Sequence, residues 1–258
     1  MDGSIKYTDK EIQALMDGIQ DGSIDEYDLP EELYLRIAEA LRTGLYKGFG
    51  GTLADFEGKD LELLTELREN IYMFSAAKTY QEVKEIGSLM FDENGERVSV
   101  SDFNKAGRAA FDTWNNDYGR TEYNTAEASA TMAVKWNEIE ANKDLLPTLQ
   151  YSTIGDACEI CAPLDGMTAP VESSVWSNVY PPNHFNCRCV VEQIEDVVGK
   201  DSGKDIAAGP LGKMDDDFKM NSGKDKYIFK DDHPYFQVAS GDEKWAKNNF
   251  GLSIPAKD

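Results

Sequence analysis

Histidine, cysteine and basic side chains are scarce in this chain of 258 residues, and each scarcity removes a class of function. Neither of the 2 histidines sits in an H-E-x-x-H or an H-x-E pattern, which excludes the zincin proteases and the zinc deaminases. No stretch reaches the roughly 18 apolar residues of a membrane helix. The first residues, MDGSIKYTDKEIQALMDG, lack the basic start and apolar run of a secretory signal, so the expectation is a soluble protein of a cytoplasm with no membrane partner. With 26 basic against 48 acidic side chains the net charge is −22. Affinity for a phosphate backbone comes from Lys and Arg displacing counterions, so non-specific nucleic-acid binding is disfavoured while partner proteins with basic surfaces are electrostatically welcome. Outside Cys158 to Cys189 there is no cysteine. That excludes a disulfide framework spread over the fold and points to one local site, where a reducing cytoplasm favours metal over disulfide.

What is present first is helix. Thr8 and Glu11 form a capping box ahead of Ile12, Leu15, Met16 and Ile19, predicting a helix from about Asp9 to Gln20, stopped by Asp21-Gly22-Ser23. Pro30, Glu31 and Glu32 suit a helix start, and Leu33, Ile37, Leu41 and Leu45 make its apolar stripe up to Gly48. A third helix is expected from Lys59 to Ala77 and a fourth from Thr79 to Phe91, before the turn Asp92-Glu93-Asn94-Gly95. Ser101 then caps a long helical segment to about Lys143, in which Gly107 and Gly119 mark breaks, each costing about 1 kcal/mol.

Pro147 changes the pattern. Leu149, Tyr151 and Thr153 alternate with polar neighbours as one short strand, and Cys189, Val191 and Gln193 do so as a second. After Asp196 the run VGKDSGKDIAAGPLGKMDDDFKMNSGKDK is rich in Gly, Asp, Lys and Ser and reads as a flexible arm, with only Tyr227 to Phe250 carrying aromatics able to dock. The expected class is mainly α, α+β overall: a helical domain (1–145), a small two-stranded β module (146–196) and an acidic arm (197–258).

All four cysteines lie in that module. Cys158 and Cys161 have the C-x-x-C spacing that aims two thiolates at one ion, and His184 and Cys187 are again three apart after the Pro181-Pro182 turn. We therefore expect Zn²⁺ held by Cys158, Cys161, His184 and Cys187, with Cys189 as the alternative fourth ligand. A redox pair would need a βαβ context that is lacking here, and metal-free cysteines would pack as small apolar residues. Four protein ligands leave zinc no open position for water, so the ion is expected to staple the strands, not to catalyse. His233, in Asp231-Asp232-His233-Pro234, is expected to be a turn residue, and no catalytic residues are assigned.

The runs Arg120-Thr121-Glu122, Tyr151-Ser152-Thr153, Cys158-Glu159-Ile160-Cys161, Leu164-Asp165-Gly166 and Pro181-Pro182-Asn183-His184-Phe185-Asn186-Cys187-Arg188-Cys189 resemble the phage Mu F-like head morphogenesis family, the SPP1-type minor head proteins, over about residues 105–195. The resemblance implies a minor capsid protein of a tailed phage or prophage. Such a protein associates with portal, scaffold or major capsid protein in the host cytoplasm and then resides in the virion head. It also implies a clamp of Cys158, Cys161, His184 and Cys187, and a polar pair, Arg120 and Glu122, on the preceding helix. Two other classes stay open. One is a toxin-delivery module with a small C-terminal effector; the other is an HNH-type metal-dependent nuclease, which would need a D-H or H-H pair where this chain has Asn183-His184.

Overall fold

A computed structural model describes residues 5–155, 157–195 and 203–256. The fold is mainly helical with one small antiparallel sheet, in the order α1 (Asp9–Asp21), α2 (Glu31–Phe49), α3 (Gly58–Ser88), α4 (Val100–Asp112), α5 (Gly119–Asn142), β1 (Thr148–Ser152), β2 (Thr168–Pro170), β3 (Val190–Ile194) and α6 (Gly203–Leu211). Contacts divide the chain into two compact units, each discontinuous: residues 1–43, 69–123 and 231–258 in the first, 44–68 and 124–230 in the second.

In the first unit, α1 begins as expected, with Thr8 and Glu11 reciprocally capped and Gly22 in the left-handed conformation at its end. Three expectations are corrected. The predicted third and fourth helices are one helix, α3, uninterrupted at Ala77–Thr79. Thr79 resembles a cap in sequence, but its hydroxyl donates to the Ser75 carbonyl at 2.8 Å, and the Ser75 hydroxyl donates to Ile71 at 2.7 Å, so both polar groups are satisfied inside a continuous helix. The cap of α4 is Ser99, not Ser101: its hydroxyl accepts from the Asp102 amide, which lies at the third helical position. Gly107 sits in the middle of α4 and breaks nothing. The break expected near Gly119 is a π-helical turn, Thr113–Tyr118, after which the helix continues.

That turn serves a polar core. Lys78, Glu82 and Asn115 are almost completely buried, as is Glu122. Lys78 is ion-paired with Glu122 and donates to the Trp114 carbonyl, which lies in the π turn, at 2.8 Å. Tyr235 donates to the other oxygen of Glu122 at 3.0 Å, and Asn115 donates to Glu82 at 2.6 Å. Tyr235 also packs its ring on Phe74 and Trp114, while Phe250 stacks on Tyr80.

The second unit contains the sheet, with strand order β2-β1-β3. The sequence suggested two strands, and the third, Thr168–Pro170, is too short to carry an alternation signal. Tyr151 pairs with Val191 and Ser152 with Val190, while β2 pairs with the start of β1. One face packs on Met132, Trp136 and Ile139 of α5. Gly48, near the end of α2, touches α5 so closely that a β-carbon there would fall 2.0 Å from the Glu127 carbonyl oxygen.

Residues 196–202, which include the start of the arm, lie outside the described residues. From Gly203 the chain differs from the open arm its composition suggests. Ala207, Met214 and Phe218 join the core around the sheet, and Met220, Ile228 and Phe229 are buried as well. Asn221 donates to the Trp176 carbonyl at 3.1 Å, and Gly223 lies flat on Trp136, where a β-carbon would come within 2.3 Å of the side chain. Of the aromatics in the expected docking segment, Phe229 is buried in this unit and Phe250 in the first.

Two outcomes follow from this packing. Gly223→Ala should lower stability by about 1–3 kcal/mol, because Trp136 must shift to admit a methyl group; an unchanged melting temperature would show that the segment is not docked. Glu82 is held by burial at a pKa pushed up to about 8, although Lys78 and Asn115 pull it down, with Glu122 and Glu85 adding to the rise. The unfolded carboxyl titrates near 4.3. Between these values the folded state binds the extra proton, so stability should be full at acid pH and fall on the order of a few kcal/mol as pH rises through 8. Urea denaturation across pH 5–9 (roughly the window between the two pKa values) should show that slope in wild type and a flattened one in Glu82→Gln; identical slopes would refute the assignment.

Candidate metal centre

The β1–β3 ladder sets the site. The chain leaves β1 at Ser152, and the Thr153 amide and hydroxyl donate to Asp165 at 2.9 and 2.8 Å. Gly166 follows with φ of 71°, returning the chain so that its amide donates to the Tyr151 carbonyl. Within the loop this closes, the Ala162 amide donates to the Cys158 carbonyl at 2.8 Å, turning the C-x-x-C segment tightly. The second ligand segment enters through the cis Pro181–Pro182 bond, and the Cys187 amide donates to the His184 carbonyl at 3.1 Å. Asn186 supplies a left-handed residue, φ 58°, which asparagine tolerates better than most, and its side chain accepts from Asn124 of α5 at 2.8 Å. Cys187 and Cys189 precede β3, which begins at Val190, so Cys189 is not the strand residue that the alternation suggested.

The structure gathers all five predicted donors. Cys158, Cys161 and His184 have ligand atoms within 4.8 Å of one another, as do Cys161, Cys187 and Cys189, so Cys161 belongs to both sets. All four cysteines are free thiols. The Cys161 and Cys187 sulfurs are 3.9 Å apart. Two thiolates each about 2.3 Å from one tetrahedral ion would be about 3.8 Å apart, so this separation needs little adjustment. A small cavity of about 70 Å³ has Cys158, Cys161, His184 and Cys189 in its wall. The arrangement can hold a metal ion: Cys161 is shared, Cys158 and His184 complete one side, and Cys187 or Cys189 completes the other.

Electrostatics favour the thiolate at two of the donors, Cys158 and Cys187, while bonds from Cys187 hold Cys161 up as a thiol and Cys189 is also raised. Burial raises the Cys158 thiol, but the amides of Cys161 and Ile160 and the nearby His184 outweigh it and hold the pKa below the ordinary value. Bonds from Cys161 and Cys189 favour Cys187 as the thiolate, and the Cys187 sulfur in turn holds His184 up at about 9. His184 places Nδ1 2.8 Å from the Phe185 carbonyl, so with Nδ1–H donating there, Nε2 is the nitrogen left to bind an ion.

The other predicted site residues separate. Glu122 faces inward to Lys78, whereas Arg120, two positions earlier, is exposed, because residues two apart on a helix point to different sides. His233 caps the short turn Pro234–Phe236 by accepting from the Tyr235 amide, as expected of a turn residue. Residue-by-residue reading gave no role to Asn183 or to the hydroxyl of Tyr151, although both stand in the motif runs; Asn183 donates to Tyr151 at 2.9 Å.

Compared with known families, residues 93–192 match the model described as phage Mu protein F like protein. Over that stretch the chain is similar to the Mu F-like family of phage head proteins. Its Mu F-like part begins in the turn before α4 and ends within β3, and so takes in every donor of the metal centre. No curated protein and no solved structure matches the chain. Among the described residues no helix is long and apolar enough to cross a membrane.

Removing the shared donor should do most damage. Cys161→Ser should abolish stoichiometric metal binding, while Cys187→Ser and Cys189→Ser should each retain a weakened site because the other sulfur remains. Elemental analysis of the three purified variants tests this, and equal loss in all three would overturn the shared-ligand arrangement.

Proposed function

We propose that the protein is a structural minor component of the head of a tailed phage or prophage, acting during procapsid assembly, with one structural Zn²⁺ in its Mu F-like module. The observation that carries the reading is the coincidence of the family match with the five-donor cluster. Zinc suits that cluster because thiolate and imidazole donors arranged for four-coordination are its usual structural set. Cys158, Cys161 and His184 would hold the ion, with Cys187 as the fourth ligand and Cys189 as its substitute. Bound there, it supplies a cross-link between two chain segments separated in sequence, which strands of 3 and 5 residues need in order to stay ordered.

The partners are portal, scaffold or major capsid protein, met in the bacterial cytoplasm and retained in the virion. A net charge of −22 supports basic protein surfaces as the docking faces over direct non-specific contact with DNA.

Co-expression with those head proteins, followed by gradient sedimentation, tests the reading. The protein should travel with procapsids, and the fraction retained should fall as ionic strength rises from low to moderate, since salt screens the steering charges. Sedimentation as a free protein at every salt concentration would overturn it.

A further inference from the structure

The cysteine cluster is backed by a buried relay that a motif reading passes over. Cys161, Tyr151 and Asn183 are fully buried. The Tyr151 hydroxyl donates to the Cys161 sulfur at 3.4 Å, and the Asn183 side-chain amide donates to the Tyr151 oxygen at 2.9 Å and to the Val179 carbonyl at 3.1 Å. Because Asn183 occupies a lone pair on the phenol oxygen, the phenol hydrogen is directed at the sulfur. The three residues belong to separate segments: Tyr151 is in β1, Cys161 closes the C-x-x-C, and Asn183 immediately precedes His184.

We propose that Tyr151, oriented by Asn183, is a positioning residue for Cys161, the sulfur common to both donor sets; the inference rests on the metal reading above. The hydroxyl hydrogen would draw charge from the Cys161 sulfur when it binds metal. It also fixes the direction of the sulfur before metal arrives. Groups bonded to a ligand in this way contribute to metal affinity, and losing one typically costs about 10- to 100-fold. The same relay ties Asn183, and with it the segment carrying His184, to the C-x-x-C loop, so the two ligand segments are ordered together.

The experiment uses Co²⁺ as a spectroscopic probe in the full chain, comparing wild type, Tyr151→Phe and Asn183→Ala. Tyr151→Phe should still bind one equivalent with an unchanged four-coordinate visible band, because all ligands remain. Its thiolate-to-cobalt charge-transfer band should move to longer wavelength, since a thiolate without its donor gives up an electron more readily. Release to a chelator should be at least about tenfold faster. Asn183→Ala keeps the phenol but not its orientation, and should shift both readings in the same direction by less; it also stands in if Tyr151→Phe folds poorly. Wild type that binds no Co²⁺ would overturn the metal reading and the relay together. Wild type that binds, with both variants showing its band position and release rate, would overturn the relay alone.

Discussion

The pairing of β1 with β3 is the interaction on which the rest of the second unit depends. Antiparallel register places Ser152 opposite Val190, so the chain leaving β1 and the chain entering β3 start from adjacent points. Cys158 and Cys161 follow the first, and Cys187 and Cys189 precede the second, so the ladder itself carries two separate ligand segments to one place. The dependence runs both ways. Strands this short are marginal without outside support, and the packing of Trp136, Trp176 and Tyr180 supplies it.

In the first unit a different constraint operates. A lysine and two glutamates inside a helical core are costly unless each polar atom finds a partner. Lys78 is met by Glu122 and by the Trp114 carbonyl, Glu122 by Tyr235, and one oxygen of Glu82 by Asn115, while the other Glu82 oxygen has no partner among the described residues, in keeping with a carboxyl held protonated by burial. The Trp114 carbonyl that accepts from Lys78 lies within the irregular turn Thr113–Tyr118. The glutamate of the R-T-E run belongs to this core, whereas its arginine stays in solvent.

The Mu F-like stretch contributes to both units, since residues 93–123 lie in one and 124–192 in the other. Residues outside the match complete each core: Met214 and Phe218 in the second, Tyr235 and Phe250 in the first. The C-terminal sequence looks like linker because its apolar residues are few and irregularly spaced. Chain entropy is nonetheless offset where each of those few reaches an existing apolar surface.

Local signals were legible from the amino acids alone. The capping box of Thr8 and Glu11, the mainly helical class, the two principal strands and the five cysteine and histidine side chains that the structure gathers all rest on residue type and short spacing, which need no knowledge of the rest of the chain. Tertiary structure decided whatever depended on distant partners. Polar Lys78, Thr79 and Glu82 disguise one helix as two, because burial beside Glu122 and Asn115 reverses the usual reading of a polar residue as exposed. The strand Thr168–Pro170 exists only as a neighbour of β1, and the tail is ordered by distant groups such as Trp136, Trp176 and Trp114. The sharing of Cys161 between two donor sets, with Tyr151 and Asn183 behind it, has no counterpart in spacing, because it arises where three separate segments meet.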